Sequence, residues 1–485
     1  MLPKNSINIQ TIARIAIMVF LAAVLGLLIA NLQFTGIALI VFLPITLVMG
    51  GIFAKQPKIA IYSLVFMGFV TSALSRYYPG PPYGLSIDVL LVLGLIIVFI
   101  KDFKQLDTKA LGNDLTLAWG LWMLFCILMI FNPLAPSLEA WFYAVRGIGL
   151  YPLLMIPLVL MVFKKAKDMH RLFVLIIIME VIGALWGMKQ VYMGVSPTEN
   201  RWLAAGAAST HILFGKLRAF SYFSDAAQFG ASQVHMAFMC FACAFGVKKN
   251  VYRTLLILAG TICFYGFMLS GSRGPLIIPV VAGLVFLFLS RYTKLLIAGL
   301  LVGFLAFGFL KFTTIGQSNY NIARLRTALN PSEDASYLVR KAREQEVAVY
   351  LQDKPLGGGI GSAGFWGRRF SPGTFLAEIG TDGHYTRIWM ETGIVGLILY
   401  LLLLGWLCFR IILICYRLKD PSTRFFISAW GASFVGLCVA SYTNGLLVQL
   451  PTGPIVYCGL AFVWMARKWD KSSENLKNPD LETVS

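Results

Sequence analysis

Charge is what this chain has least of. Of its 485 residues, 13% are Asp, Glu, Lys or Arg, about half the share of an ordinary soluble protein. That shortage excludes a disordered chain and argues against a soluble globular enzyme. Acidic residues are the scarcest, 22 against 41 Lys and Arg, giving a net charge of +19. Histidine is rarer still: His170, His211, His235 and His384 are scattered, and no Asp-x-Asp occurs. A metal-independent site without a cofactor is therefore expected. The eight cysteines all fall in or at the ends of apolar runs. Cys240 and Cys243 are spaced like half of a zinc site, but no second pair faces them, so a buried apolar role is expected.

What the chain has is hydrocarbon. Hydrophobic residues make up 58% and aromatics 14%, with a mean hydropathy of +0.75. A bilayer crossing takes roughly 17–25 apolar residues. About fourteen runs approach that length: Thr11–Ala30, Gly36–Ala54, Lys58–Ser75, Ser86–Ile100, Leu115–Phe131, Ile148–Phe163, Leu172–Met193, Ala226–Val247, Thr254–Gly271, Pro275–Ser290, Leu295–Phe312, Tyr385–Phe409, Phe425–Leu447 and Pro454–Met465. The first run lacks a small-residue cleavage site and leads at once into another, so it is expected to stay as an anchor. The expected fold is all-α and polytopic, with 12–14 transmembrane helices.

Alternate connections are rich in Lys and Arg, and such loops stay in the cytoplasm. They begin with Lys4 and Arg14, continue through Lys164, Lys165 and Lys167, and end with Arg467, Lys468, Lys471 and Lys477. With Arg410 they hold 24 of the 41 positive residues. Both termini are thus expected in the cytoplasm. The expected organisation is spans with short loops over 1–312, a large outer loop over 313–384, further spans over 385–466 and a tail over 467–485. The other 17 positive residues lie outside and concentrate in Gly194–Asp225, at Arg273 and in the large loop. Topology does not explain them, because long loops translocate largely regardless of charge.

In the large loop, Pro331-Ser332 opens a helix that Ser332 caps, with Glu333 and Asp334 in its first turn. The run to Gln352 puts Leu338, Ala342 and Val349 on one face, expected to lie over the span ends, with Arg340, Arg343 and Glu344 elsewhere. Gly359–Gly364 is a formal GxGxxG, but it follows a helix and a Pro on the outer face instead of a strand. A tightly turned loop is expected there. His384, Arg387 and Glu391 then share a helix face at the entrance to a span. They mark a wet cavity, or an Arg387–Glu391 pair that locks a helix end. Arg218 lies in Gly215–Gln228, a segment that ends at an outer membrane boundary, and Arg273 sits in the small-residue turn Ser270–Pro275. Each has room for fork-like phosphate binding or serves as a snorkelling anchor. Arg146, in an outer loop, is a weaker candidate of the same kind. Glu180, Gln233 and His235 lie inside spans and need polar partners, which spacing does not reveal.

In order along the chain, four segments resemble motifs of the O-antigen ligase and O-antigen polymerase superfamily of bacterial envelope enzymes. Arg218-Ala-Phe-Ser-Tyr-Phe-Ser-Asp225 is similar to its Arg–aromatic–Asp stretch before a span. Ser270-Gly-Ser-Arg273-Gly274 resembles its Ser-Arg-Gly turn, and Pro355-Leu-Gly-Gly-Gly-Ile-Gly361 its Pro-Leu-x-Gly-x-Gly stretch. His384 with Glu391-Thr-Gly393-Ile-Val-Gly396 resembles the start of a late span. Tyr385 stands where the family commonly has Asn. The resemblance implies a GT-C-like membrane glycosyltransferase of the inner membrane, acting in lipopolysaccharide biosynthesis at the periplasmic face. Its donor would be a glycan on undecaprenyl diphosphate. Its acceptor would be lipid A-core for a ligase or a growing glycan for a polymerase, with a protein O-oligosaccharyltransferase as a third case. No nucleic-acid partner is implied. His384 would be the general base, and Arg218 and Arg273 would stabilise the departing diphosphate. Arg340, Arg343, Arg387, Arg146 and Glu391 would contact substrate. A polysaccharide transporter is the reading from another class; transporters often carry internal repeats, and none is evident here.

Overall fold

Side-chain caps fix where many of the helices begin. Asn113, Ser137, Ser196, Asp225 and Asp420 each turn a side-chain oxygen onto N–H groups of the first helical turn, which have no partner within the helix. A computed structural model describes residues 45–102, 111–213, 215–291, 293–316, 326, 335–380 and 383–477. The helices are α1 (Ile45–Lys55), α2 (Lys58–Tyr77), α3 (Gly84–Asp102), α4 (Asp114–Leu128), α5 (Leu138–Val145), α6 (Tyr151–Val162), α7 (Ala166–Tyr192), α8 (Pro197–Trp202) and α9 (Ala208–His211). There follow α10 (Ala226–Gly246), α11 (Asn250–Ser270), α12 (Ile277–Ser290), α13 (Thr293–Phe312), α14 (Ala335–Tyr350), α15 (Gly364–Phe370), α16 (Phe375–Glu378), α17 (His384–Arg417), α18 (Pro421–Ala440) and α19 (Thr452–Lys477). The sheet among the described residues is one antiparallel pair, β1 (Ile212–Leu213) with β2 (Lys216–Leu217).

The fold is all-α and polytopic. Eight helices among the described residues are long and apolar enough to cross a membrane, and four shorter apolar ones accompany them. Thr11–Ala30 and the first part of Gly36–Ala54, before Ile45, lie outside the described residues, as do Lys4, Arg14, Lys104, Lys109 and the Ser332 cap with Glu333 and Asp334. The Pro454–Met465 run lies in α19, whose apolar half is buried nearly throughout. The Ile148–Phe163 run starts earlier: α5 continues through a π-turn, Arg146–Leu150, into α6, forming one span-length helix Leu138–Val162. The carbonyls that a π-turn frees are taken by side chains, since Trp122 Nε1 donates to Ile148 O at 2.9 Å and Tyr457 Oη to Gly147 O at 3.1 Å.

α10 and α18 form the centre of the bundle and are the most enclosed of the eight. They are also among the least apolar, because a helix surrounded by protein has no lipid to satisfy and has room for polar partners. The polar pairing unseen in the sequence is here. Glu180 of α7 is fully buried and accepts Ser232 Oγ at 2.5 Å and Gln233 Nε2 at 2.6 Å from α10. His235 is buried with neither ring nitrogen hydrogen-bonded among the described residues. Cys240 and Cys243 are buried in α10.

Candidate active site

α17 is a broken helix, and the break organises one end of the bundle. At Gly393 the backbone takes φ 65° and ψ −170°, a conformation essentially confined to glycine. In a straight helix His384 and Tyr400 would be about 24 Å apart, at 1.5 Å per residue. The break brings His384 Nε2 to 3.0 Å from Tyr400 Oη. The Gly-rich loop fills the gap. Gly358 N donates to Met390 O at 2.9 Å, and Val395 N donates to Pro355 O at 3.3 Å. A Cβ on Gly393 would lie 2.0 Å from Pro355 O, and one on Gly357 2.4 Å from Gly393 N. Asn132 anchors the loop from the far side, its Nδ2 donating to Leu356 O at 3.0 Å and to Gly357 O at 3.2 Å. The wedge in the helix break is thus Pro355–Gly358, just before the formal GxGxxG, and helix α14 precedes it where a nucleotide fold would have a strand.

His384 is 1% exposed. Its backbone N–H donates to Ser441 O at 2.9 Å, and its Nδ1 has no hydrogen-bond partner among the described residues. One turn on, Arg387 Nε donates to Glu391 Oε1 at 3.0 Å. Glu391 is fully buried, and the backbone N–H groups of Gly361 and Ala363 face its carboxylate, although Oε2 meets none of them at full hydrogen-bonding geometry. Glu391 therefore joins the broken helix to the Gly-rich loop.

The arginines of the two earlier motifs converge through one turn. Arg218 Nε donates to Ser270 O at 3.0 Å, Nη1 to Thr210 O at 2.9 Å and Nη2 to Ser272 Oγ at 2.7 Å. It is thereby fixed to the turn that carries Arg273. Arg76 holds the stretch after Arg218, with Nη1 donating to Ser221 O at 2.8 Å and Nη2 to Phe223 O, and its guanidinium lies 4.3 Å from the Trp202 ring centre. Nearby, His211 Nε2 accepts Ala226 N–H at 3.2 Å. Burial holds the His211 ring below its ordinary pKa, offset in part by the Ala207 carbonyl.

The hub is Ser441-Tyr-Thr443, between α18 and α19. A Cβ on Gly274 would meet Thr443 Oγ1 at 2.9 Å, and one on Gly383 would meet Tyr442 O at 2.7 Å. The Arg273 turn and the start of α17 thus flank the same three residues. α14 closes over them. Thr386 Oγ1 and Tyr442 Oη donate to Glu344 Oε1 and Oε2, each at 3.2 Å, and Arg343 Nη1 donates to Gly380 O. This corrects the expected placement of the helix. Leu338 and Val349 are 48% and 67% exposed, whereas Val347 is fully buried; Arg340, Arg343 and Glu344 share the inward side with it. Hydrogen bonds to the hub outweigh the burial of a thin apolar stripe.

The structure therefore brings Arg218, Arg273, Arg340, Arg343, His384, Arg387 and Glu391 to the loops at one end. Arg146 has other neighbours, its guanidinium lying 6.0 Å from the Trp366 ring centre of α15. It is not in a loop but within the π-turn, 7% exposed, with its Nη1 paired to Asp88 Oδ2 and its guanidinium 4.9 Å from the Tyr143 ring centre. Glu180, Gln233 and His235 are remote, inside the bundle. Sequence reading missed Arg76 and the Ser441–Thr443 hub. Their signals were a lone Arg at a span end and a polar Ser-Tyr-Thr-Asn run between two apolar ones.

Two comparisons bear on this arrangement. Residues 256–401 match the family model described as O-antigen ligase, a stretch that includes the Arg273 turn, the Gly-rich loop and the start of α17. An O-antigen polymerase from Salmonella muenchen is 23% identical over 349 residues, covering 67% of this chain and 82% of that protein.

Proposed function

From these matches, which support the O-antigen ligase and polymerase superfamily, we propose that the chain is a membrane glycosyltransferase of the inner membrane. It moves a glycan from undecaprenyl diphosphate to a sugar hydroxyl at the periplasmic face, with lipid A-core as acceptor. The observation that carries this reading is the convergence on Ser441–Thr443 of the Arg273 turn, to which Arg218 is bonded, and of the His384 helix.

Transfer breaks the glycosyl–phosphate bond and leaves a multiply negative diphosphate. Arg218 and Arg273 are the groups assigned to that charge, and Arg218 is already oriented by three fixed bonds. The acceptor hydroxyl must lose a proton as it attacks. In the tautomer whose Nε2–H donates to Tyr400 Oη, Nδ1 of His384 is the nitrogen with an open lone pair. Bond energy in the donor drives the reaction, so the site is proposed to work without ATP, metal or cofactor. Arg340, Arg343 and Arg387 are assigned to the glycans, and Glu391 to holding Arg387. Arg146 already has a carboxylate partner and is assigned to the fold.

The polymerase reading is kept beside the ligase one because the Salmonella muenchen relative is a polymerase. Purified protein given a glycan on undecaprenyl diphosphate, with lipid A-core and a second carrier-linked repeat as competing acceptors, separates the two. Glycosylated core means ligase, and lengthened carrier-linked chains mean polymerase. In the same assay His384→Ala and Arg273→Ala should each abolish transfer while the protein accumulates normally. Near-normal transfer by both variants would overturn the site.

A further inference from the structure

A helix ordinarily buries its apolar stripe. α14 instead turns Arg340, Glu344 and Val347 inward and leaves Leu338 and Val349 outside. Within this inward face, Glu344 is bonded at 3.2 Å by two neutral hydroxyls, Thr386 on one oxygen and Tyr442 on the other. Both contacts are long for O–H···O bonds, which run from about 2.5 to 3.0 Å. An ionised carboxylate has roughly four lone-pair sites, so Glu344 retains accepting capacity. Arg340, one turn earlier, has its Nε buried without a hydrogen-bond partner among the described residues and lies within electrostatic reach of the Tyr442 hydroxyl. The side chain of Tyr442 is open to one side, the residue being 41% exposed.

An accepting carboxylate, a donating guanidinium and an open aromatic ring are the groups that bind a sugar. Vicinal hydroxyls donate to the first and accept from the second, and the apolar face of a pyranose lies on the third. Resting on the glycosyltransferase reading, we propose that Glu344, Arg340 and Tyr442 form a sugar-ring subsite at the mouth of the active site. Thr386 links it to His384, two residues earlier on the same helical turn. The guanidinium carries N–H donors beyond Nε, and a bound hydroxyl or ring oxygen can accept from them. Either saccharide of the reaction presents this chemistry, the acceptor sugar or the first sugars of the donor glycan.

Steady-state transfer by the full-length protein, with donor and acceptor varied separately, tests the subsite. Glu344→Gln and Tyr442→Ala should raise KM for one of the two saccharides about tenfold, the effect of 1.4 kcal/mol, with kcat little changed. The substrate whose KM moves identifies the occupant. Tyr442→Phe, which keeps the ring, should be milder than Tyr442→Ala. Unchanged KM for both saccharides, or a fall in kcat alone, overturns the subsite. A second measurement does not depend on turnover: saturation-transfer NMR with a soluble core oligosaccharide and a soluble repeat-unit oligosaccharide. Binding of either one by the wild type that Glu344→Gln weakens supports the subsite, even if the wild type transfers no glycan and the functional reading fails. No binding of either, or equal binding by the variant, refutes the subsite.

Discussion

Replacing Gly393 by alanine isolates what the broken helix costs and what it achieves. At φ 65° and ψ −170° an L-residue carries backbone strain of about 1–3 kcal/mol. The added methyl would sit 2.0 Å from Pro355 O and 2.4 Å from its carbonyl carbon. Those are backbone atoms and cannot rotate away, so overpacking adds about 1–3 kcal/mol. The sum, about 2–6 kcal/mol, is a large fraction of an ordinary stability margin. Gly405→Ala is the matched control. It lies in the same helix, with nothing within 4 Å of its would-be Cβ, and should be neutral or gain about 0.5–1 kcal/mol. Thermal unfolding of both variants in one detergent, at one heating rate because unfolding is expected to be irreversible, should lower the apparent Tm of Gly393→Ala by roughly 5 °C or more. That of Gly405→Ala should not fall. Glycan transfer should fail in Gly393→Ala, since relaxing the break separates His384 from Tyr400. A Gly393→Ala protein that melts and transfers like the wild type would refute the argument that the break is required.

Glu391→Gln should destabilise by about 1–3 kcal/mol, because it removes the charge that holds the part-buried Arg387 and that faces the Gly361 and Ala363 amides; an unchanged melting temperature would count against this role. His211 gives a pH prediction. Burial holds its pKa below the ordinary 6.5, and Nε2 must be unprotonated to accept Ala226 N–H. The unfolded chain therefore binds the extra proton first. The stabilisation is present above about pH 6.5 and is lost as pH falls toward the folded pKa. Hydrogen exchange at the start of α10, corrected for intrinsic rates, should rise between pH 7.5 and 5.5, and protection constant over that range would contradict it.

Much of the architecture was legible because its causes are local. A long apolar run specifies a membrane-length helix whatever surrounds it, and Asp225 or Asp420 specifies where one begins. The arginines at 218 and 273 stood out because charge is scarce. Other features were hidden because their causes are distant. Gly393 sits in Glu391-Thr-Gly-Ile-Val-Gly396, which reads as the start of an uninterrupted span; the Pro355 carbonyl and Gly358 amide, brought in by another segment, are what replace the missing helical bonds. Arg146 looked like a loop residue because its partner, Asp88, is 58 positions away. α14 has an apolar stripe, yet Glu344 and Arg343 found hydrogen bonds that turned it over.

By itself, then, the sequence determined a polytopic helical chain with arginines to spare, because transfer into hydrocarbon is decided residue by residue. The tertiary structure decided which of those arginines share a site, where a helix must break, and that Ser441–Thr443 joins the motifs. Those outcomes depend on which carbonyls and hydroxyls meet across segments far apart in the chain, and local composition carries no record of that.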